Sequence, residues 1–356
     1  MRTVHQLSAL GALIATAIAC NAWAQTTPAP AKAPAAQPAA KAPAAHPGPK
    51  VPTTKIKPAP TVAKPAQPAP ATAGEPDLAF GAFQRGHYLT AFAEAMRRVE
   101  EKSDPKAMTL LAELYANGYG VGTDDKKAAE WYRLAAARGD REAMFALALF
   151  RFQGRGGKKD RDEAAKLLAS AAKLGHAAAA YDLALLYLEG QQFRQDFARA
   201  AELFKTAAQA GNPEAQYALA TLYKEGRGVP RDREEAGRLL AAAALAYNLD
   251  AQVEYAIALF NGDGVMKDEA AAGALLQQAA RRGSAIAQNR LARMLAAGRG
   301  IPADPVHAMK WHLVAKAGGA GDVSLDEFAA KQKPEDRAAA EQAAKPWLAA
   351  LKESKS

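Results

Sequence analysis

The chain has 356 residues, 49% of them hydrophobic and only 7% aromatic, with a formal net charge of +9 at pH 7. Of its 46 lysines and arginines, seven precede Glu75, where no Asp or Glu occurs, which leaves 39 against 37 acidic residues for the remainder. The basic pI of 9.4 is thus a property of the first 74 residues and not a nucleic-acid footprint. Cys20 is the only cysteine, too few for a disulfide framework, and loss of a leader containing it leaves no thiolate for catalysis or metal binding.

The opening "MRTVHQLSALGALIATAIACNAWAQ" reads as a secretory signal over residues 1–24. It has one Arg near its start, an apolar run from Leu7 to Cys20, and Ala22-Trp23-Ala24 as a small-x-small cleavage pattern before Gln25. The run is shorter than the roughly 20 residues that cross a bilayer, and no later segment goes as long without charge. The rival expectation is a lipoprotein leader cut before Cys20, which anchors the chain there. Residues 25–74 are almost wholly Ala, Pro, Lys, Thr and Gln, so they have little to bury and are expected to form a disordered, polyproline-II-biased tether. At about 3.1 Å per residue it reaches roughly 150 Å. Its lysines suit weak contact with anionic wall polymer or lipid; the blander expectation is a spacer.

Residues 75–104 predict two helical segments split at Gly86, a degenerate N-terminal capping repeat. From Pro105 the sequence repeats every 36 residues in six copies: 105–140, 141–176, 177–212, 213–248, 249–284 and 285–320. Ala fills positions three and eight of every copy, a spacing that puts small residues on one face of a helix A. Gly118, Gly154, Gly190, Gly226, Gly262 and Gly298 then open a loop. Asp124, Asp160, Asp196, Asp232, Asp268 and Asp304 follow, each before an Ala- and Leu-rich helix B, and are read as its N-caps. Helix B is expected to stop at Gly139, Gly175, Gly211, Gly283 and Gly319 in left-handed caps, with Tyr247 the exception. Residues 321–356 are read as C-terminal capping helices and a tail, Pro334 opening the last helix.

The loop "GRGVPRD" at 226–232 places glycines before a helix N-terminus, the ingredients of an anion site. Its recurrence in every copy and its acidic cap point to a turn instead. "GRGGKKD" at 154–160 comes nearest to a nucleotide loop, yet Phe152 and Lys159 stand where Gly and Ser or Thr are needed. In the third copy "GQQFRQD" lacks the second glycine, which leaves that turn's geometry open.

Spelled from Ala107 to Asp140, the pattern "A…LA.LY..G.GV..D..KAA.WY..AA..GD" resembles the Sel-like repeat family, relatives of the tetratricopeptide repeats, over roughly residues 77–320. The resemblance implies an all-α chain, an α/α solenoid of 36-residue helix-turn-helix repeats, often exported in bacteria and serving as a scaffold or adaptor. Relatives of this kind include periplasmic regulators of sensor kinases and polysaccharide-secretion factors. The chain departs from the cysteine-rich branch of the family, whose disulfides it lacks.

No catalytic constellation emerges. His307 and His312 are five residues apart, roughly 140° around a helix, so they cannot share a metal as an i, i+4 pair does. No Gly-x-Ser-x-Gly elbow occurs, and no enzyme activity, metal site or cofactor is expected. The informative departures lie at positions five, nine and twelve of helix A, which point away from its Ala and Leu face. These are polar or small in the end copies (Thr109, Glu113, Asn289, Arg293) and apolar in the middle: Phe145, Leu149, Phe152, Tyr181, Leu185 and Leu188, followed by Tyr217. They read either as a partner-binding strip on a concave helix A surface or as packing against the neighbouring repeat. The function expected is a non-enzymatic, exported periplasmic scaffold or adaptor binding a protein or peptide of the cell envelope, without nucleic acid and without a transmembrane segment. The alternative is a periplasmic regulator or assembly factor of a sensor kinase or polysaccharide-secretion machine; a hydrolase is conceivable from the family but unsupported by these residues.

Overall fold

A computed structural model describes residues 77–353, which form sixteen helices and no strand. The leader at 1–24, the tether at 25–74 and both cleavage sites lie outside the described residues. Helices α1 (Leu78–Gln84) and α2 (Tyr88–Lys102) precede six A/B pairs. The pairs are α3 (Pro105–Asn117) with α4 (Asp125–Ala136), α5 (Arg141–Gln153) with α6 (Arg161–Lys173), and α7 (Ala177–Glu189) with α8 (Phe197–Gln209). They continue with α9 (Pro213–Glu225) and α10 (Arg233–Leu245), α11 (Leu249–Asn261) and α12 (Glu269–Arg281), and α13 (Ala285–Ala297) and α14 (Pro305–Ala317). Helices α15 (Val323–Ala330) and α16 (Pro334–Glu353) close the array. Each helix from α1 to α14 packs on the next along the chain, and α16 folds back past α15 onto α14, which makes this the all-α solenoid that the 36-residue period implies.

The alanine columns explain the close packing. The position-eight alanines, Ala112 through Ala292, are at most 1% exposed, so a larger side chain at any of them would have to displace a facing helix. At the N-terminal end Ala82, Ala91 and Ala95 cover Leu110, Leu111 and Leu114. At the other end Trp347, Leu348 and Leu351 of α16 pack on the cluster holding Trp311, Val314 and Leu325.

Each helix B begins as its aspartate dictates. Asp124, Asp160, Asp196, Asp232, Asp268 and Asp304 each accept a hydrogen bond from the N–H three residues on, at 2.8 to 3.0 Å. The helices A are capped as well, by Asp104, Asp140, His176, Asn212, Asn248 and Ser284. That set varies in chemistry, so comparison of columns does not reveal it.

The loop glycines have two roles. The first of each pair, Gly118 to Gly298, ends helix A in the left-handed region. The second lets the loop lie on the preceding repeat: a Cβ at Gly156, Gly228, Gly264 or Gly300 would collide with the carbonyl of Asp125, Phe197, Arg233 or Glu269, the first residue of the helix B before it. In the third copy Gln192 stays out of the left-handed region and its amide donates instead to the Asp162 carboxylate of α6. Position fifteen then reaches across the same junction, in Arg155–Asp125 at 2.6 Å, Asp263–Arg233 at 2.6 Å and Arg299–Glu269 at 2.5 Å. Arg227 lies over the Phe197 ring at 4.0 Å.

Two stability predictions follow from these geometries. Asp232→Ala should cost about 1 kcal/mol in denaturant titration through loss of the cap. Gly211, also left-handed but with open space around a built Cβ, should lose only about 1 kcal/mol on replacement by Ala, the conformational term alone. Gly264→Ala should lose clearly more, and equal losses at the two glycines would contradict the close backbone approach.

Candidate functional site

The strip residues share one surface. Phe145, Leu149 and Phe152 lie on α5, Tyr181, Leu185 and Leu188 on α7, and Tyr217 on α9. None is exposed; Leu185 is fully covered at 6% and the other six are half-buried. Phe145 stacks on His176 with ring centroids 4.4 Å apart, and Phe145 and Phe152 pack against the cluster of Ala148, Leu183 and Leu186. Tyr181 leans on the buried Phe204 at 5.6 Å. The surface is therefore anchored from beneath.

His176 is held in one tautomer. Its Nδ1 accepts the Ala179 N–H at 3.0 Å, so Nε2 carries the proton and donates to Glu142 at 2.9 Å. That hydrogen bond holds the Glu142 carboxyl below its usual range. The strip also extends further than the sequence reading takes it. In the fifth repeat Val253, Ile257 and Phe260 occupy positions five, nine and twelve, Val253 buried and the others half-buried. The Arg299 guanidinium covers the Phe260 ring at 4.4 Å.

Beside the apolar columns runs an acidic one. Positions two and six supply Glu142, Asp182, Glu214, Asp250 and Glu254 across repeats two to five, against Lys106 in the first repeat and Arg290 in the last. Burial pushes the Asp182 carboxyl up to about 7. The Tyr181 hydroxyl is pushed to about 12 by burial and then by the carboxylates of Asp182 and Glu214. Burial, with Glu254 and Asp250, pushes Tyr217 to about 12 as well.

The two C-terminal histidines serve the scaffold. His307 Nδ1 meets Asp304 at 2.7 Å in the α14 cap, and the buried His312 meets Asp326 at 2.8 Å through Nε2. Among the described residues no group of three or more His, Cys, Asp or Glu could hold a metal ion, and no helix there is long and apolar enough to cross a membrane.

Helix pairs stacked at a fixed period, each seated on the one before, define an α/α solenoid of the scaffold type. The Sel1 repeat matches residues 105–140, 141–176, 177–212, 213–248, 249–284 and 285–319, and the chain belongs to that family, a protein-interaction scaffold fold. A Sel1 repeat protein from Oxalobacter formigenes is 25% identical over 67% of this chain and 98% of its own, with a TM-score of 0.59. A protective antigen of uropathogenic Escherichia coli with an SLR fold is 24% identical over 73% of this chain, with a TM-score of 0.54. The match spans 64% of that antigen's length. No curated protein sequence matches the chain.

Asp182 gives a pH prediction. Its carboxyl ordinarily titrates near 3.8 and in the folded chain at about 7. Between those values the folded state binds more protons than the unfolded one, so this residue's contribution to stability falls as pH rises through the window. Asp182→Asn should flatten that fall in melting temperature between about pH 4 and 8. An unchanged slope would show that the carboxyl is not desolvated.

Proposed function

We propose that this chain is an exported, non-enzymatic scaffold or adaptor that binds a protein or peptide of the cell envelope through its helix A surface. The observation that carries this reading is the largely half-buried apolar strip on α5 and α7, continued by Tyr217 on α9 and resumed on α11 beyond Thr221 and Lys224, on a face where a solvated solenoid needs only polar residues. Family membership supports protein interaction in general; the helix A surface, the envelope location and the absence of catalysis belong to the proposal. The leader sequence supports export, with release before Gln25 favoured over an anchor at Cys20. Mass analysis of the mature N-terminus tests that step: an acylated Cys20 replaces a free chain by an anchored one.

The strip is tested by splitting its buried and half-buried members. Glu at both Leu149 and Leu188 should leave the melting temperature nearly unchanged, each within about 1 kcal/mol. The same double variant should abolish capture of the cellular partner by cross-linking and mass spectrometry. Glu at Leu185, which is covered, should instead destabilise the chain by several kcal/mol unless it is neutralised. Full partner capture by the folded Leu149→Glu, Leu188→Glu variant refutes the strip as a binding surface.

A further inference from the structure

We propose that the helix A face of repeats three to five docks a lysine- or arginine-bearing extended segment of a partner protein. This rests on the interaction reading above and adds the chemistry of the partner. On that face positions two and six hold Asp182, Glu214, Asp250 and Glu254 and no cation. Glu254 is already paired, with Lys224 at 2.6 Å. Asp182, Glu214 and Asp250 accept no hydrogen bond and pair with no Lys or Arg among the described residues, so each retains an unmet preference for a cation.

The aromatic neighbours sharpen the preference. Tyr181 lies within the field of Asp182 and Glu214, and Tyr217 within that of Asp250 and Glu254. Each tyrosine thus lies in the field of carboxylates from the next repeat along the chain, and Tyr181 in that of its own neighbour Asp182 as well. A ring face with an adjacent carboxylate attracts an ammonium or guanidinium by two additive routes, cation–π and direct charge. The aliphatic stem of such a side chain has the half-buried Leu188 and the Tyr181 ring to lie on, which leaves its charged head at the acidic column.

The ends of the face oppose the middle. Lys106 and Arg290 take up the same column in the first and last repeats, so a basic segment is attracted to the centre and repelled from both ends. An acidic segment meets the reverse field.

The test uses the full chain and a fluorescein-labelled twelve-residue peptide with lysine at every third position among proline and alanine. Anisotropy should show saturable binding that weakens with added salt, and binding should fall about tenfold in the Asp182→Asn, Glu214→Gln, Asp250→Asn triple variant, the combined effect of losing the exposed Glu214 and Asp250 and the half-buried Asp182. A peptide with glutamate in place of lysine should not bind. Equal binding of both peptides, no binding of the lysine peptide, or unchanged binding by the triple variant overturns the proposal. If one of those results appears while Leu149→Glu, Leu188→Glu still loses its cellular partner, the basic segment is refuted and the interaction reading stands. If that double variant keeps its partner, the interaction reading falls and takes this proposal with it.

Discussion

Where the second loop glycine of one repeat meets the first turn of the preceding helix B, backbone touches backbone with no side chain between them. Gly156, Gly228, Gly264 and Gly300 each sit against the carbonyl of the residue that opens that helix. Gly120 approaches Tyr88, the first residue of α2, more loosely, a Cβ there meeting the Tyr88 Cβ at 2.8 Å and backbone only at 3.2 Å. The approach fixes how far one repeat stands from the next. The ion pairs at the same junctions follow from it and do not create it: they are solvent-accessible, each worth at most about 1 kcal/mol. Their sense also reverses, with the acid in the loop at Asp263–Arg233 and in the helix at Arg155–Asp125.

A constant spacing is what turns columns of sequence into lines on a surface. Because every copy has 36 residues and every helix A starts from a capped turn, positions five, nine and twelve form one line and positions two and six another. The face can then vary in chemistry without disturbing the stack. Its core columns stay Ala and Leu while its outer columns change from Thr109 to Phe145 to Asn289. The same separation lets a partner-specific surface evolve on a fold that is otherwise uniform.

Much of this was legible in the sequence because a repeat supplies its own comparison. The period, the helix B caps and the first loop glycines are columns of one residue type, and each has a local cause in capping or in left-handed backbone. The rest depends on neighbours. Leu149 and Leu185 occupy the same position of consecutive copies, yet only Leu185 is covered, because coverage is set by the side chains of adjoining helices. The helix A caps escape notice because Asp140, His176, Asn212 and Ser284 do one job with four chemistries. Val253, Ile257 and Phe260 were legible by column and are missed only where the reading stops at Tyr217. Tyr247, the expected exception among the glycines that follow helix B, adopts a φ of 62° all the same, so the stack imposes the turn on a residue that resists it.

The third repeat is where the central constraint is relaxed, since Gln192 replaces the glycine and the loop is joined to α6 by a side-chain hydrogen bond instead. Amide hydrogen exchange of the full chain, read segment by segment, tests the account most directly. It predicts that the loop at 190–196 and the first turn of α6 exchange faster than the corresponding loops and first turns of the other repeats, because side-chain contact holds that junction less tightly than backbone contact. Protection at that junction equal to or greater than at Gly228 and Gly264 would contradict the claim that the glycine contact sets the stack.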